Sequence, residues 1–210
     1  LLGFARETVI AAVFGATGVT DSYLVAYMLP SLLFASIGAA IVTVFIPVFT
    51  EVNNKQGTQA GFALINKFGT VALLIVGVLV LLGELFAPAV VKVLAPGFSG
   101  ATYTLTVSLT RLITPVMFIL VLTYLATASL NALRQFAVPA MVGLPYNIII
   151  ICATLLLGNQ LGIYGLAIGT ILAVASQFII QLPALYKSGY RMRPVLNFKD
   201  PALKKISLLL

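Results

Sequence analysis

"SYLVAYMLPSLLFASIGAAIVTVFIPVF", residues 22–49, contains no charged side chain. It is longer than the roughly 20 apolar residues that cross a bilayer as a helix, and long enough to span with tilt. Apolar runs flank it on both sides: residues 1–16 before it, then about 68–94, 106–130, 137–157 and 161–186, with another beginning near Leu203. None shows the two-residue alternation and aromatic girdles of a membrane β-barrel. A helix satisfies its own backbone polar groups, as hydrocarbon demands. The reading is an all-α transmembrane chain.

Composition agrees. The chain is 61% hydrophobic and 8% charged, with a mean hydropathy of +1.14, against roughly 25% charged residues in a soluble domain. Too few polar side chains exist to cover a surface in water. There is no histidine and a single cysteine, Cys152, inside "NIIIICATLLLG". That excludes an internal disulfide, and a zinc site would lack ligands. Cys152 reads as a small buried apolar residue. Five acids without a histidine are poor material for general acid–base catalysis, so neither an enzyme, a metal site nor a cofactor is expected. The net charge of +7 has no soluble domain on which to form a nucleic-acid surface. It fits basic membrane loops better.

Three polar connections, "EVNNKQGTQAG" (51–61), "LNALRQF" (130–136) and "KSGYRMRPVLNFKDPALKK" (187–205), fall on one side of the membrane if the runs are numbered in order. Nine of the 12 basic residues lie on that side: Lys55, Lys67, Arg134, Lys187, Arg191, Arg193, Lys199, Lys204 and Lys205. Positive loops stay in the cytoplasm, so the 1–2, 3–4 and 5–6 turns face outward.

Charge inside the first segments is the exception. Arg6 and Glu7 stand in the first apolar run, and Asp21 follows the Gly- and Thr-rich turn "GATGVT". A charge at membrane depth costs a few kcal/mol and persists where it meets a partner or a wet cavity. Arg6 reads either as a cation binding an anion or as a side chain snorkelling to headgroups beside Glu7. Asp21 or Thr20 either caps the second helix, or Asp21 pairs with Arg6 across the turn. Glu84 and Arg111 are expected near the outer ends of their spans. Pro30, Pro115 and Pro145 lie within apolar runs, where proline frees carbonyls and bends helices; they are candidate cavity or hinge positions, with Glu7. Gly38, Gly162, Gly165 and Gly169 suit close helix packing.

These residues carry a family pattern. "LGFARETVIAAVFGATGVTDSYLVAYMLPSLL" resembles the start of the MurJ/MviN lipid II flippases, whose pattern is LGFxRD, an apolar run, FGA, then TDAFxVAFxLPNLLRR. "FIPVFTEV" (45–52), "VLAPGF" (93–98), "LNALRQFAVPA" (130–140), Asn147 of "LPYN", "QLPALYKSG" (181–189) and "VLNFKDPALKK" (195–205) follow in the family's order. The resemblance implies one six-helix lobe of a two-lobed polytopic transporter, truncated at both ends. Residues 1–186 would form the N-terminal lobe, 187–202 a cytoplasmic basic loop, and 203–210 the start of a seventh helix. It implies a flippase in the bacterial cytoplasmic (inner) membrane, moving lipid-linked peptidoglycan precursor (lipid II) outward by alternating access. Its partners would be that polyprenyl-pyrophosphate-linked glycan, membrane lipids and the remaining half of the transporter. Arg6 matches the family's helix-1 arginine and Asp21 its acidic residue opening helix 2, which makes both substrate-binding candidates; Asn147 joins the cavity candidates. One departure is plain. Met28, Phe34 and Ala35 stand where the family carries a lysine and an arginine pair. That leaves room for a sibling flippase of another polyprenyl-linked oligosaccharide, or for a nontransporting cell-wall scaffold.

Overall fold

The structure, a computed structural model, describes residues 1–195, with the backbone alone at 33–37 and 39–42. The expected seventh helix at 203–210 lies outside the described residues, as does the end of the 187–202 loop.

The described chain is a helical bundle. Its helices are α1 (Leu2–Phe14), α2 (Gly18–Ala40), α3 (Ile46–Gln56), α4 (Thr58–Leu85), α5 (Ala87–Leu94), α6 (Gly100–Ile113) and α7 (Val116–Ala132). They are followed by α8 (Ala137–Met141), α9 (Gly143–Leu156), α10 (Gly158–Leu161), α11 (Ile163–Ile179) and α12 (Leu182–Lys187). Among the described residues, the runs Thr58–Leu85, Ala137–Leu161 and Ile163–Lys187 are each long and apolar enough to cross a membrane. The pair α6–α7, bent by 42°, makes a fourth.

Proline sets most of the irregularities. At the α6–α7 bend, Pro115 has no N–H to continue the ladder, and the chain turns tightly as Met117 N–H reaches back to Thr114 O at 3.1 Å. Pro47 cannot donate to the carbonyl four residues back, and the helix widens into a π-turn at Ile41–Phe45 just before it. Pro88 sits in the first turn of α5, so the segment expected unbroken over 68–94 splits at Phe86. Pro145 lies in the first turn of α9, where a missing N–H costs nothing. Of the three candidate hinges, Pro115 coincides with a bend, Pro145 opens a helix, and Pro30 stays inside α2.

The polar stretch 51–61, expected as a loop, is helical on both sides of one residue. Gly57, at φ +87°, makes the break. Polarity here marks a helix leaving hydrocarbon rather than an unstructured link, and a Glu51–Lys55 pair at 3.0 Å supports the last turn of α3.

Helix α7 is the centre of the bundle. Its Val116 and Leu120 join a core with Ile10, Tyr23, Leu109, Ile150 and Leu166. Its Met117, Val121 and Leu125 join a second core with Phe45, Phe49, Ile65, Leu185 and Tyr190. A helix apolar all round suits burial between two cores. Outer faces are apolar too: Ile75, Val78 and Leu81 of α4 are exposed, which water would penalise and lipid tails do not. The same inversion corrects the reading of Cys152, which is exposed on α9.

Glycine permits the closest approaches. A Cβ on Gly169 of α11 would collide with the Cβ of Ala153 on α9, and one on Gly165 would lie 2.6 Å from the backbone of Leu157. On α2, a Cβ at Gly38 would lie 2.6 Å from the Tyr124 ring. Gly162 serves differently, turning the chain at φ +58° between α10 and α11.

Candidate functional site

Helix α1 is held against α9, and α9 in turn against α11. Between α1, the start of α2 and α9 lies a cavity of about 310 Å³, lined by Arg6, Glu7, Thr20, Asp21, Tyr27 and Tyr146 among others. The turn closing its end is tied by hydroxyls. Thr17 Oγ1 donates to Phe14 O at 3.1 Å and Thr20 Oγ1 to Gly15 O at 2.8 Å. These bonds satisfy carbonyls that the end of α1 leaves open. Gly15 takes φ +67° there, a conformation that favours glycine.

Arg6 is the partly covered member of the charged pair: its side chain keeps 25% exposure against 61% for Glu7. Its Nε donates to Glu7 Oε1 at 3.1 Å, and an Nη2 proton goes to the same oxygen. Adjacent helix positions ordinarily diverge, so this contact depends on the length of the arginine. The guanidinium also lies 5.5 Å from the centroid of the Tyr146 ring, within cation–π range. An arginine has five N–H donors. Glu7 takes the Nε side, which leaves the Nη1–Nη2 edge as a two-pronged donor.

Tyrosines and a threonine shape the rest. Tyr23, 5% exposed, shares a 2.7 Å hydrogen bond with Thr170 of α11, and its ring stacks on Tyr27 at 6.2 Å. The i,i+4 spacing of Tyr23 and Tyr27 in one helix was the available sequence signal; nothing local marks Tyr146 or Thr170.

The candidate residues divide. Arg6, Glu7 and Asp21 come together around one cavity. Asp21 does not pair with Arg6: among the described residues the arginine's ion pair is with Glu7. Neither Asp21 nor Thr20 caps α2, which starts at Gly18; Asp21 lies in its first turn, where a carboxylate suits the helix dipole. Asn147 follows Tyr146 but is not among the cavity's lining. Its Nδ2 donates to Gly143 O at 2.6 Å, and its buried Oδ1 has no partner among the described residues. Pro30, Pro115 and Pro145 are not among the residues lining this cavity. Arg111, expected at an outer helix end, lies in the last turn of α6 beside the bend and donates to Glu84 O at 3.3 Å.

The family model described as lipid II flippase MurJ matches residues 10–210. The lipid II flippase MurJ of Burkholderia cenocepacia is 33% identical over 97% of this chain, which spans 41% of that protein. The probable lipid II flippase MurJ of Vibrio cholerae is 30% identical over the whole chain, which spans 42% of it. A solved structure described as lipid II flippase MurJ in an inward closed conformation has the same fold, with a TM-score of 0.83, 24% identity, and coverage of 99% of this chain and 44% of that one.

Proposed function

The chain belongs to the lipid II flippase MurJ family, and from that premise we propose that it forms the N-terminal lobe of a flippase moving lipid II from the inner to the outer leaflet. The lobe comprises residues 1–186, with 187–202 as a cytoplasmic basic connection to a second lobe. The protein sits in the bacterial cytoplasmic membrane with its basic side inward, and it transports without catalysing a reaction.

The observation that carries this reading is the guanidinium of Arg6, held in a cavity of a membrane-spanning lobe by Glu7 and Tyr146. A lipid-linked sugar pyrophosphate cannot bring its anionic head through hydrocarbon unaided. Arginine's planar fork matches phosphate oxygens two at a time. With the Nε side fixed by Glu7, the free edge is presented in one orientation. Asp21, exposed at the cavity wall, offers an acceptor to the sugar or peptide part of the head. A cavity between lobes that opens alternately to each side moves the head across, and the bend at Pro115 is where the lobe flexes.

Met28, Phe34 and Ala35 in place of cations support a second reading, a flippase for another polyprenyl-linked oligosaccharide. Both share the Arg6 chemistry and differ in the sugar.

The test is complementation. Cells depleted of their lipid II flippase receive the full-length transporter containing this lobe. The unaltered gene is expected to restore growth. Arg6→Ala, at matched membrane abundance, is expected to fail, and Arg6→Lys to rescue partly, since a point charge lacks the fork. Failure of the unaltered gene with good abundance points to the other glycan. Full growth with Arg6→Ala refutes the assignment of Arg6.

A further inference from the structure

A second cleft, with no residue in common with the first, lies between α4, α7, α12 and the segment after α12. It measures about 370 Å³. Segment 190–195 is strapped along α4 by side chains. Asn66 Oδ1 accepts from Tyr190 Oη at 2.7 Å and from Arg193 N at 3.1 Å, while its Nδ2 donates to Arg191 O at 3.0 Å. Thr70 Oγ1 accepts from Val195 N at 3.0 Å. The strap therefore forms one wall of the groove and carries Arg193 to its polar end.

From Asn66 the α4 wall runs through Thr70 to Leu73 and Leu74, about 12 Å at 1.5 Å per residue. That is most of the ~15 Å hydrocarbon depth of one leaflet. Leu74 both lines the groove and is exposed, next to the apolar outer face of α4. The groove is thus open to the bilayer, and an apolar slot open to hydrocarbon fills with it.

The two arginines of the strap differ. Arg191 is engaged, donating to Tyr186 O at 3.1 Å and Tyr190 O at 2.9 Å with its guanidinium over the Tyr186 ring. Arg193 lines the groove, is exposed, and makes no side-chain hydrogen bond among the described residues. Among the described residues, no carboxylate lines the groove. Charge complementarity then selects an anion at one end of an acyl-sized slot.

We propose that this groove binds an anionic phospholipid of the leaflet on the basic side, with one acyl chain between α4 and α7 and the phosphate at Arg193. The site is separate from the Arg6 cavity and independent of the transported substrate.

The chain contains no tryptophan, so an introduced one reports its own surroundings. Leu74→Trp and Leu122→Trp place it on facing walls of the groove; Leu81→Trp places it on the exposed face of α4 outside it. Each variant is made in the full-length transporter containing this lobe, with any tryptophan of the other lobe replaced by phenylalanine, and reconstituted in phosphatidylcholine vesicles with rising fractions of acyl-brominated phosphatidylglycerol or acyl-brominated phosphatidylcholine. At Leu74 and Leu122 the anionic lipid is expected to quench at about fivefold lower mole fraction, the ratio one cation supplies near a charged membrane surface. At Leu81 the two lipids should quench alike. Adding Arg193→Gln should abolish the preference, and Lys55→Gln, the same charge loss elsewhere, should leave it. Three results overturn the proposal: equal quenching in the groove, a preference that survives Arg193→Gln, or one lost equally with Lys55→Gln.

Discussion

Between α1, α2 and α9 a guanidinium stands among tyrosines and carboxylates, while between α4, α7 and α12 the walls are mostly apolar and Arg193 stands at one end. Both clefts lie in one lobe, and α7 gives a face to the core beneath each. The difference lies in how each cation is supported. Arg6 is fixed by an ion pair and a ring, so its orientation is set before any ligand arrives. Among the described residues, Arg193 is held through its backbone, by Asn66, and its side chain is left to follow a headgroup. Preorganised donors suit a ligand whose phosphates must be gripped in one pose; a tethered, mobile cation suits a lipid that exchanges.

The widest separation between the two halves should come from glycine. Gly169→Ala forces α11 away from Ala153 of α9, a backbone-level conflict, and is expected to cost about 1–3 kcal/mol. Gly69→Ala, beside the groove, meets only the Cδ1 of Leu125 at 3.2 Å, the end of a flexible side chain, and should cost well under half as much. Thermal denaturation of the two variants in detergent checks the order. Equal losses would mean that α9 and α11 are not in the contact described.

A smaller effect distinguishes the acids of the first cleft. Glu7→Gln weakens the charge-assisted bonds that hold Arg6, each worth about 1.5–3 kcal/mol, and should lower transport by the full-length protein severalfold. Asp21→Asn keeps an acceptor at the cavity wall and touches no ion pair, so its effect should be milder. The reverse order in a transport assay would return the orienting role to Asp21.

The smallest effect belongs to the strap. Tyr190→Phe deletes the 2.7 Å bond to Asn66, about 0.5–1.5 kcal/mol. Burial pushes the Tyr190 phenol up to about 12, above its ordinary value near 10. Its protonated form is therefore favoured by folding. That contribution is fully present below pH ~10 and is lost as pH rises through the folded value. The unaltered chain should melt at a constant temperature between pH 6 and 9 and lose stability above pH 10, with a shallower fall in Tyr190→Phe. Identical alkaline curves would show that the Tyr190 phenol is not buried against α4.

Much of the bundle was readable in the sequence because hydrocarbon imposes a crude rule, long apolar runs. The first cleft was readable for the same reason, since Arg6, Glu7 and Asp21 interrupt such runs. What the rule hides is which face of a helix turns inward. Cys152 and Ala153 are equally apolar, yet one is exposed and the other buried, because lipid and protein interior look alike to a hydrophobic side chain. Polarity misled at 51–61, where a helix simply projects beyond the hydrocarbon. Tyr146 escaped notice because its link to Arg6 joins α1 to α9 across most of the chain. The Asn66 strap escaped for the same reason: its partners lie more than a hundred positions downstream.

The most direct measurement is equilibrium binding of a polyprenyl pyrophosphate to the purified full-length transporter in nanodiscs of zwitterionic lipid, comparing the unaltered protein with Arg6→Gln and Arg193→Gln. Losing the Arg6 fork removes charge-assisted bonds of about 1.5–3 kcal/mol each, so Arg6→Gln should weaken binding about tenfold or more, while Arg193→Gln should leave it within about twofold. Unchanged affinity in Arg6→Gln, or an equal loss in both variants, would contradict the assignment of substrate recognition to the first cleft.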